Sequence, residues 1–294
     1  MASLKEVKNR ILSVASTQQI TKAMKMVAAA KLRKSQERIM KMRPFAKKLN
    51  ELLQNLSAAG DEGPEWYNSP REEKKILIVA VSADRGLSGS FNSNILKATV
   101  KLVQEKYAQQ HAQGNVTVLP LGKKAYEFFN KRNSKALLEH WNIFPGLSFD
   151  KIAVIVDFLI EVYKKGEYDK IEIVYNEFKN VATQILRIEQ FLPILPQETT
   201  DKVKTPDVDY IYQPSREEIV TGLVPKSLRV KLYKAVLDSD AAFNGAQMTA
   251  MDKATENAGE LLKEIKLAYN RTRQAAITKE ILEIVGGAEA LKSA

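Results

Sequence analysis

Between Leu237 and Ala276 the chain reads LDSDAAFNGAQMTAMDKATENAGELLKEIKLAYNRTRQAA. Apolar or small residues return at Leu237, Ala241, Met248, Met251, Ala258, Leu262, Ile265, Tyr269 and Ala276. The steps are threes, fours and their sums, which is the period of a helix and not of a strand. The surrounding segment, from Pro225 to Ala294, is rich in strong helix formers and holds no proline after Pro225. About sixty such residues, at 1.5 Å each, make a rod of roughly 90 Å. A single domain of this size cannot bury a rod that long. The helix must be sheathed by another helix, by other chains, or by both.

The opposite end of the chain offers a partner. Leu4, Val7, Ile11, Val14, Gln18, Thr21, Lys25, Ala28, Leu32, Ser35, Ile39, Met42, Ala46, Leu49, Leu53 and Leu56 form an unbroken heptad frame, apolar at its ends and polar or small in its middle. A sustained three-four alternation is the pattern of a left-handed coiled coil. Pro44 predicts a kink or break near Arg43. The two terminal helices are expected to pack antiparallel, with a globular domain inserted between them.

The insert alternates strands and helices. Lys75–Ser82 and Val116–Leu121 are near-continuous apolar runs of strand length, suited to a sheet buried on both faces. Helices are expected at Asn92–His111, Lys123–Asn133 and Phe149–Lys165. Alternating strands are expected at Ile171–Phe178 and Thr183–Phe191, a loop at Pro193–Pro206, and an edge strand at Tyr210–Tyr212. This order is that of a Rossmann-like α/β layer. The fold class is therefore α/β: an antiparallel coiled coil of long N- and C-terminal helices with an inserted Rossmann-like α/β domain. Its parts are an N-terminal helix at 1–58, a linker at 59–74, the α/β domain at 75–215 and a C-terminal helix at 216–294.

Composition narrows the function. There is no cysteine and only His111 and His140 as histidines, which excludes disulfides and leaves no thiolate or histidine cluster for a metal. No apolar run approaches the length of a membrane span. Met1 to Glu6 lacks the apolar core of a secretory signal and reads as a mature bacterial start. The net charge of +10 lies entirely in residues 1–57, densest from Lys31 to Lys48; basic and acidic residues balance elsewhere. Such an excess reads either as a solvated helix face or as a surface for an acidic partner, protein or nucleic acid.

Catalytic patterns are weak. The turn Asp84-Arg85-Gly86-Leu87-Ser88-Gly89-Ser90-Phe91-Asn92 sits between a strand and a helix, where phosphates bind in α/β folds. It lacks both the three-glycine dinucleotide spacing and the Gly-Lys-Ser/Thr of a phosphate loop. Neither histidine lies near a nucleophile elbow. Glu280 and Glu283, at helix spacing i, i+3, suit ion pairing better than acid–base work. Met24, Met26, Met40, Met42, Met248 and Met251 suit helix packing.

Longer motifs carry a family likeness. Ile277-Thr278-Lys279-Glu280-Ile281-Leu282-Glu283-Ile284-Val285-Gly286-Gly287-Ala288 resembles the C-terminal signature of the gamma subunits of rotary F-type ATP synthases. Thr17 to Ala29, continuing through Lys34-Ser35-Gln36, resembles that family's first helix. Asp84 to Gly89 and Met248 to Asp252 are similar too. The resemblance spans essentially the whole chain. It implies a non-catalytic central rotor shaft without cofactor. The coiled coil would fill a ring of three alpha and three beta subunits, and the α/β domain would sit against the epsilon subunit and the membrane ring of c subunits. Rotation would couple transmembrane proton flow to ATP synthesis or hydrolysis on beta. It also implies a place on the cytoplasmic face of the bacterial inner membrane, with membrane association only through the complex and no nucleic acid.

By the same resemblance, Lys22, Met24 and Lys25 face the lever region of beta, and Arg273, Gln274, Thr278 and Glu280 contact its inner loops. Gln18, Thr21 and Lys25 would then face neighbours or a sleeve rather than a dry core. The chain departs from the family pattern at Phe243, where a glutamate is expected, and at Gln247, where an arginine is expected. Ser88 stands where many relatives carry cysteine. Two other readings compete. A nucleic-acid arm is weakened by having Phe45 as the sole aromatic among the basic residues. A nucleotide enzyme is weakened by the missing phosphate-loop residues.

Overall fold

A computed structural model describes residues 4–58, 67, 71–132, 134–194 and 216–292. Its elements in chain order begin with α1 (Leu4–Ala58), β1 (Ile76–Val81) and α2 (Phe91–Lys101). A π turn (Leu102–Lys106), α3 (Ala108–Ala112), β2 (Val116–Leu121) and α4 (Lys123–Lys131) follow. The chain continues through α5 (Phe149–Lys164), β3 (Lys170–Phe178), β4 (Gln184–Leu192) and α6 (Arg216–Lys292). By contact it divides into two compact units: Met1–Ala28 with Gln247–Ala294, and Ala29–Ala246.

The larger unit is built on a four-stranded sheet in the order β2-β1-β3-β4. β1 pairs parallel with β2 and with β3, while β4 closes antiparallel on β3. Both central faces are covered, which is why β1 reads ILIVAV without a polar interruption. Leu77, Val79 and Val81 join Ile152, Val156 and Leu159 of α5 and Leu228, Leu232 and Val236 of α6 in the main core. Ala80, on the opposite face, packs with Leu96 of α2, Val118 of β2 and Phe129 of α4. α5 starts where Ser148 Oγ accepts from the Lys151 N–H, an N-cap that occupies one of the helix's free donors.

Several expectations need correction. The break expected near Pro44 does not occur: α1 runs through that proline, as α6 runs through Pro225. Each proline frees the carbonyl four residues earlier. Those residues, Met40 and Thr221, are exposed, so water can take the freed acceptor. The single helix expected over Asn92–His111 is interrupted by the π turn, in which Tyr107 N donates to Leu102 O. The extra residue turns Tyr107 into the core and leaves Lys106 Nζ 2.5 Å from Glu172 Oε1.

β3 is buried along nearly its whole length rather than half-exposed. Its polar members are accommodated by pairing. Lys106 binds Glu172, and Lys170 Nζ lies 2.6 Å from Glu73. Tyr67, assigned to the linker, is buried in the main core, and its carbonyl accepts from Ile194 N at 2.7 Å. The edge strand expected at Tyr210–Tyr212 and the loop residues 195–206 lie outside the described residues.

The glycine- and serine-rich turn after β1 is consumed by its own fold. Asn92 Oδ1 accepts from Ala83 N at 3.0 Å, and its amide donates to Arg85 O at 3.0 Å. Asp84 Oδ1 accepts from Lys123 N at 2.9 Å, and Ser82 Oγ from Ala125 N at 2.8 Å, so two donors at the start of α4 are already occupied. Gly122 is held at φ 104°, and a Cβ there would lie 2.2 Å from the Ser82 carbonyl oxygen. Only glycine admits that approach.

Candidate subunit interface on the helical pair

The smaller unit consists of the first part of α1 and the last part of α6. Lys25 pairs with Asp252, Thr21 meets Thr255, and the Gln18 amide lies over Gly259. Partner numbers fall as α1 numbers rise, so the helices are antiparallel. Continued by threes and fours, this register sets Val14 opposite Leu262 and Ile11 opposite Ile265, and both α6 residues are buried. On α1 the buried and half-buried positions include every frame residue from Leu4 to Ala28. On α6 the sequence Met251, Thr255, Ala258, Leu262, Ile265, Tyr269, Thr272 and Ala276 is the least exposed stripe. Its strict three-four alternation is the seam of a coiled coil.

The centre of this seam is polar, and its polar groups face the partner helix. Thr255 Oγ1 lies 2.8 Å from Thr21 Oγ1 and 2.7 Å from Met251 O, and Thr21 Oγ1 is 3.0 Å from Gln18 O. The two hydroxyl protons make two of these three contacts at a time: with Thr255 donating to Thr21 Oγ1, Thr21 donates to Gln18 O. Gln18 Nε2 donates to Thr255 O at 3.4 Å. This corrects the expectation that Gln18 and Thr21 face neighbours or a sleeve; Lys25 pairs with Asp252 but keeps 37% of its side chain exposed. All three are partners of Thr255 and Asp252 across the seam, and Thr21 is buried. Polar seam residues fix register, because a shift of one position would strand buried hydroxyls without partners.

The basic excess of α1 is likewise partly internal. Within the larger unit Ser35 Oγ donates to Asp240 Oδ2 at 2.5 Å, and Arg43 lies 3.9 Å from Asp238. Burial raises the Asp240 carboxyl above its ordinary value, against the Ser35 hydrogen bond and the Arg38 and Lys31 charges. Asp238 is wholly buried, and neither oxygen has a hydrogen-bond partner among the described residues. Burial pushes its pKa up to about 6, opposed by Lys234 and Arg43.

The residues singled out by sequence fall into distinct settings. Lys22 is exposed beside a groove of about 530 Å³ that runs along the seam past Gln18, Lys25, Met26 and Asp252. Met24 is half-buried, and Lys25 is held by Asp252. Arg273, Gln274, Thr278 and Glu280 are all exposed, with Thr278 Oγ1 donating to Gln274 O at 2.9 Å. Phe243 is half-buried and meets Phe91 edge-on at 5.6 Å, so this departure from the family pattern is spent on packing in the larger unit. Gln247 is half-buried. Ser88 is buried.

The feature missed by sequence is where the seam stops. Continued past Ala276, the stripe reaches Lys279 and Glu283, which pair with each other at 3.6 Å on the surface. The apolar residues Ile277 and Ile284 stand one position off that line and Ile281 two, joined by Leu282 and Val285. All are exposed, Ile284 by 71%. The signal was readable in the phase of the apolar pattern.

A family model described as ATP synthase matches residues 3–291. A protein of Cytophaga hutchinsonii named ATP synthase gamma chain is 57% identical over the full length of both chains. One of Flavobacterium johnsoniae with the same name is 54% identical over 99% of both. The chain belongs to the ATP synthase gamma-chain family. Among solved structures, a chain of the Euglena gracilis mitochondrial ATP synthase (OSCP/F1/c-ring, rotational state 3) superposes with a TM-score of 0.69, at 19% identity, over 99% of this chain and 95% of that one. A chain of the Tetrahymena thermophila central stalk and c-ring reaches 0.55 over 80% of this chain and 99% of that one, at 23% identity. At those identities the likeness concerns the fold alone: long N- and C-terminal helices that pack together, and a central mixed sheet. No helix among the described residues is long and apolar enough to cross a membrane.

Proposed function

We propose that this chain is the central rotor shaft of an F-type ATP synthase, a non-catalytic subunit whose turning couples transmembrane proton flow to ATP synthesis or hydrolysis on beta subunits. The observation that carries this reading is the uncovered apolar end of α6. Ile277, Ile281, Leu282, Ile284 and Val285 form a helical surface that α1 does not cover and whose phase does not match the seam. A cluster of this kind on a water-facing helix marks a place where another chain fits. The helix end enters a ring of three alpha and three beta subunits. Arg273, Gln274, Thr278 and Glu280 meet the inner loops of that ring, and Lys22, Met24 and Lys25 face the lever region of beta.

The larger unit meets the epsilon subunit and the membrane ring of c subunits. The chain works at the cytoplasmic face of the bacterial inner membrane, held there through the complex. Coupling requires differential contact: the shaft must bind successive states of beta unequally, or its rotation would transmit nothing. The polar seam supports such a role, since two helices locked in register resist sliding when one is pushed.

The test is reconstitution. Purified alpha and beta chains are mixed with the full chain or with a chain ending at Ala276, and ATP hydrolysis is measured. The full chain is expected to show no hydrolysis alone and to support it in the mixture. The shortened chain is expected to keep its helicity and lose most of the stimulation. Hydrolysis by the purified chain alone, or full stimulation without residues 277–294, would overturn the reading.

A further inference from the structure

We infer that the groove between α2 and α4 in the larger unit is a docking site for an acidic amphipathic helix of a protein partner. The groove encloses about 590 Å³ and runs from Gly89 to Gln104 along one face of α2. Its floor is apolar: Leu96 and Val100, one helical turn apart on α2, and Phe128 on α4. Its rim is cationic on both walls, with Lys97 and Lys101 on α2 and Arg132 at the end of α4. No acidic side chain lines it among the described residues; Glu105, 3.7 Å from Lys101, lies just outside.

Shape and charge together select the occupant. The helical part of the lining, Asn92 to Gln104, rises by roughly 18 Å at 1.5 Å per residue, which matches about three turns of a second helix. The lining positions recur at threes and fours, the spacing by which one helix receives the ridge of another. An apolar floor asks for an apolar stripe. Cations on both sides ask for carboxylates flanking that stripe, and oppositely charged rims set orientation and rate of docking. Arg132 is prepared for this: its guanidinium stacks on the Phe128 ring at 3.8 Å, which fixes its plane and leaves its N–H edge available to a carboxylate. Lys97 has no ion pair among the described residues, so no internal partner competes.

The test titrates the full chain with a fluorescent fifteen-residue helical peptide bearing a leucine stripe flanked by glutamates. A counterpart with lysines replacing the glutamates, and vesicles of anionic phospholipid, are run in parallel. The acidic peptide is expected to bind saturably, more weakly as salt rises, and the lysine peptide not to bind. The double variant K97E/R132E is expected to weaken binding about tenfold or more. Val100→Ser, which keeps every charge, should also weaken it. Lys97 and Arg132 stand exposed on the rim and Val100 is half-buried on the floor, and unchanged circular dichroism confirms that the variants fold. Absence of saturable peptide binding, or binding indifferent to K97E/R132E, would overturn the inference. So would vesicle binding through these residues without peptide binding, which would make the groove a lipid site.

Discussion

Replacing Asp238 by Asn should stabilise the larger unit at neutral pH, and the size of the gain follows from the setting of the carboxylate. Asp238 sits on α6 at 0% exposure, with both oxygens unpartnered among the described residues. Lys234 and, at 3.9 Å, Arg43 are its cationic neighbours; Glu177 and Glu189 oppose them. Its pKa rises from 3.8 to about 6, chiefly because burial disfavours the charged form. A folded-state value above the unfolded one means that the protonated acid favours folding. That contribution is complete below the unfolded value, and it is lost as pH rises through about 6. Two units correspond to about 3 kcal/mol. Asn keeps the shape without the charge, so the variant should gain about 1–3 kcal/mol at pH 8. The difference should close as pH falls below about 4. Urea unfolding followed by tryptophan fluorescence, repeated across that range, measures it. An Asn variant less stable than the parent at pH 8 would refute the argument and mean that the attraction of Lys234 and Arg43 for the carboxylate outweighs burial.

Two further substitutions probe the fold directly. Thr255→Val should cost about 1 kcal/mol by leaving the Thr21 hydroxyl buried against a methyl group, whereas the double change with Thr21→Val should recover much of it, as read by thermal unfolding. Gly122→Ala should cost about 3 kcal/mol or more, because the position combines φ 104° with a Cβ 2.2 Å from the Ser82 carbonyl oxygen; a fully stable variant in urea would contradict that geometry.

Much of this was legible in one dimension. The frame from Leu4 to Leu49 matches buried or half-buried positions residue for residue, because a coiled-coil seam imposes its period on the sequence. The strand runs at Ile76–Val81 and Val116–Leu121 announced a sheet covered on both faces for the same reason. What escaped the reading depends on partners distant in sequence. Nothing near Lys25 signals Asp252, and nothing near Lys106 signals Glu172. A π turn at Leu102–Lys106 alters the helix phase by one residue without any glycine or proline to mark it. Tyr67 lay in a stretch whose glycines and prolines spoke for a linker, and its burial comes from a core cluster assembled from residues distant in sequence. For the interface, Arg273, Gln274, Thr278 and Glu280 came from family likeness. The exposed apolar face beside them followed from comparing the phase of the apolar residues with the seam.

The central claim is mechanical, and it is tested most directly by watching the chain turn. Because the sequence contains no cysteine, a single one introduced at exposed Lys131 gives a unique attachment point for a bead. The labelled chain is assembled with alpha and beta chains fixed to a surface, and ATP is supplied. The account predicts stepwise rotation of the bead in one direction for as long as ATP is hydrolysed. Steady hydrolysis beneath a bead that is firmly attached and does not rotate would contradict it.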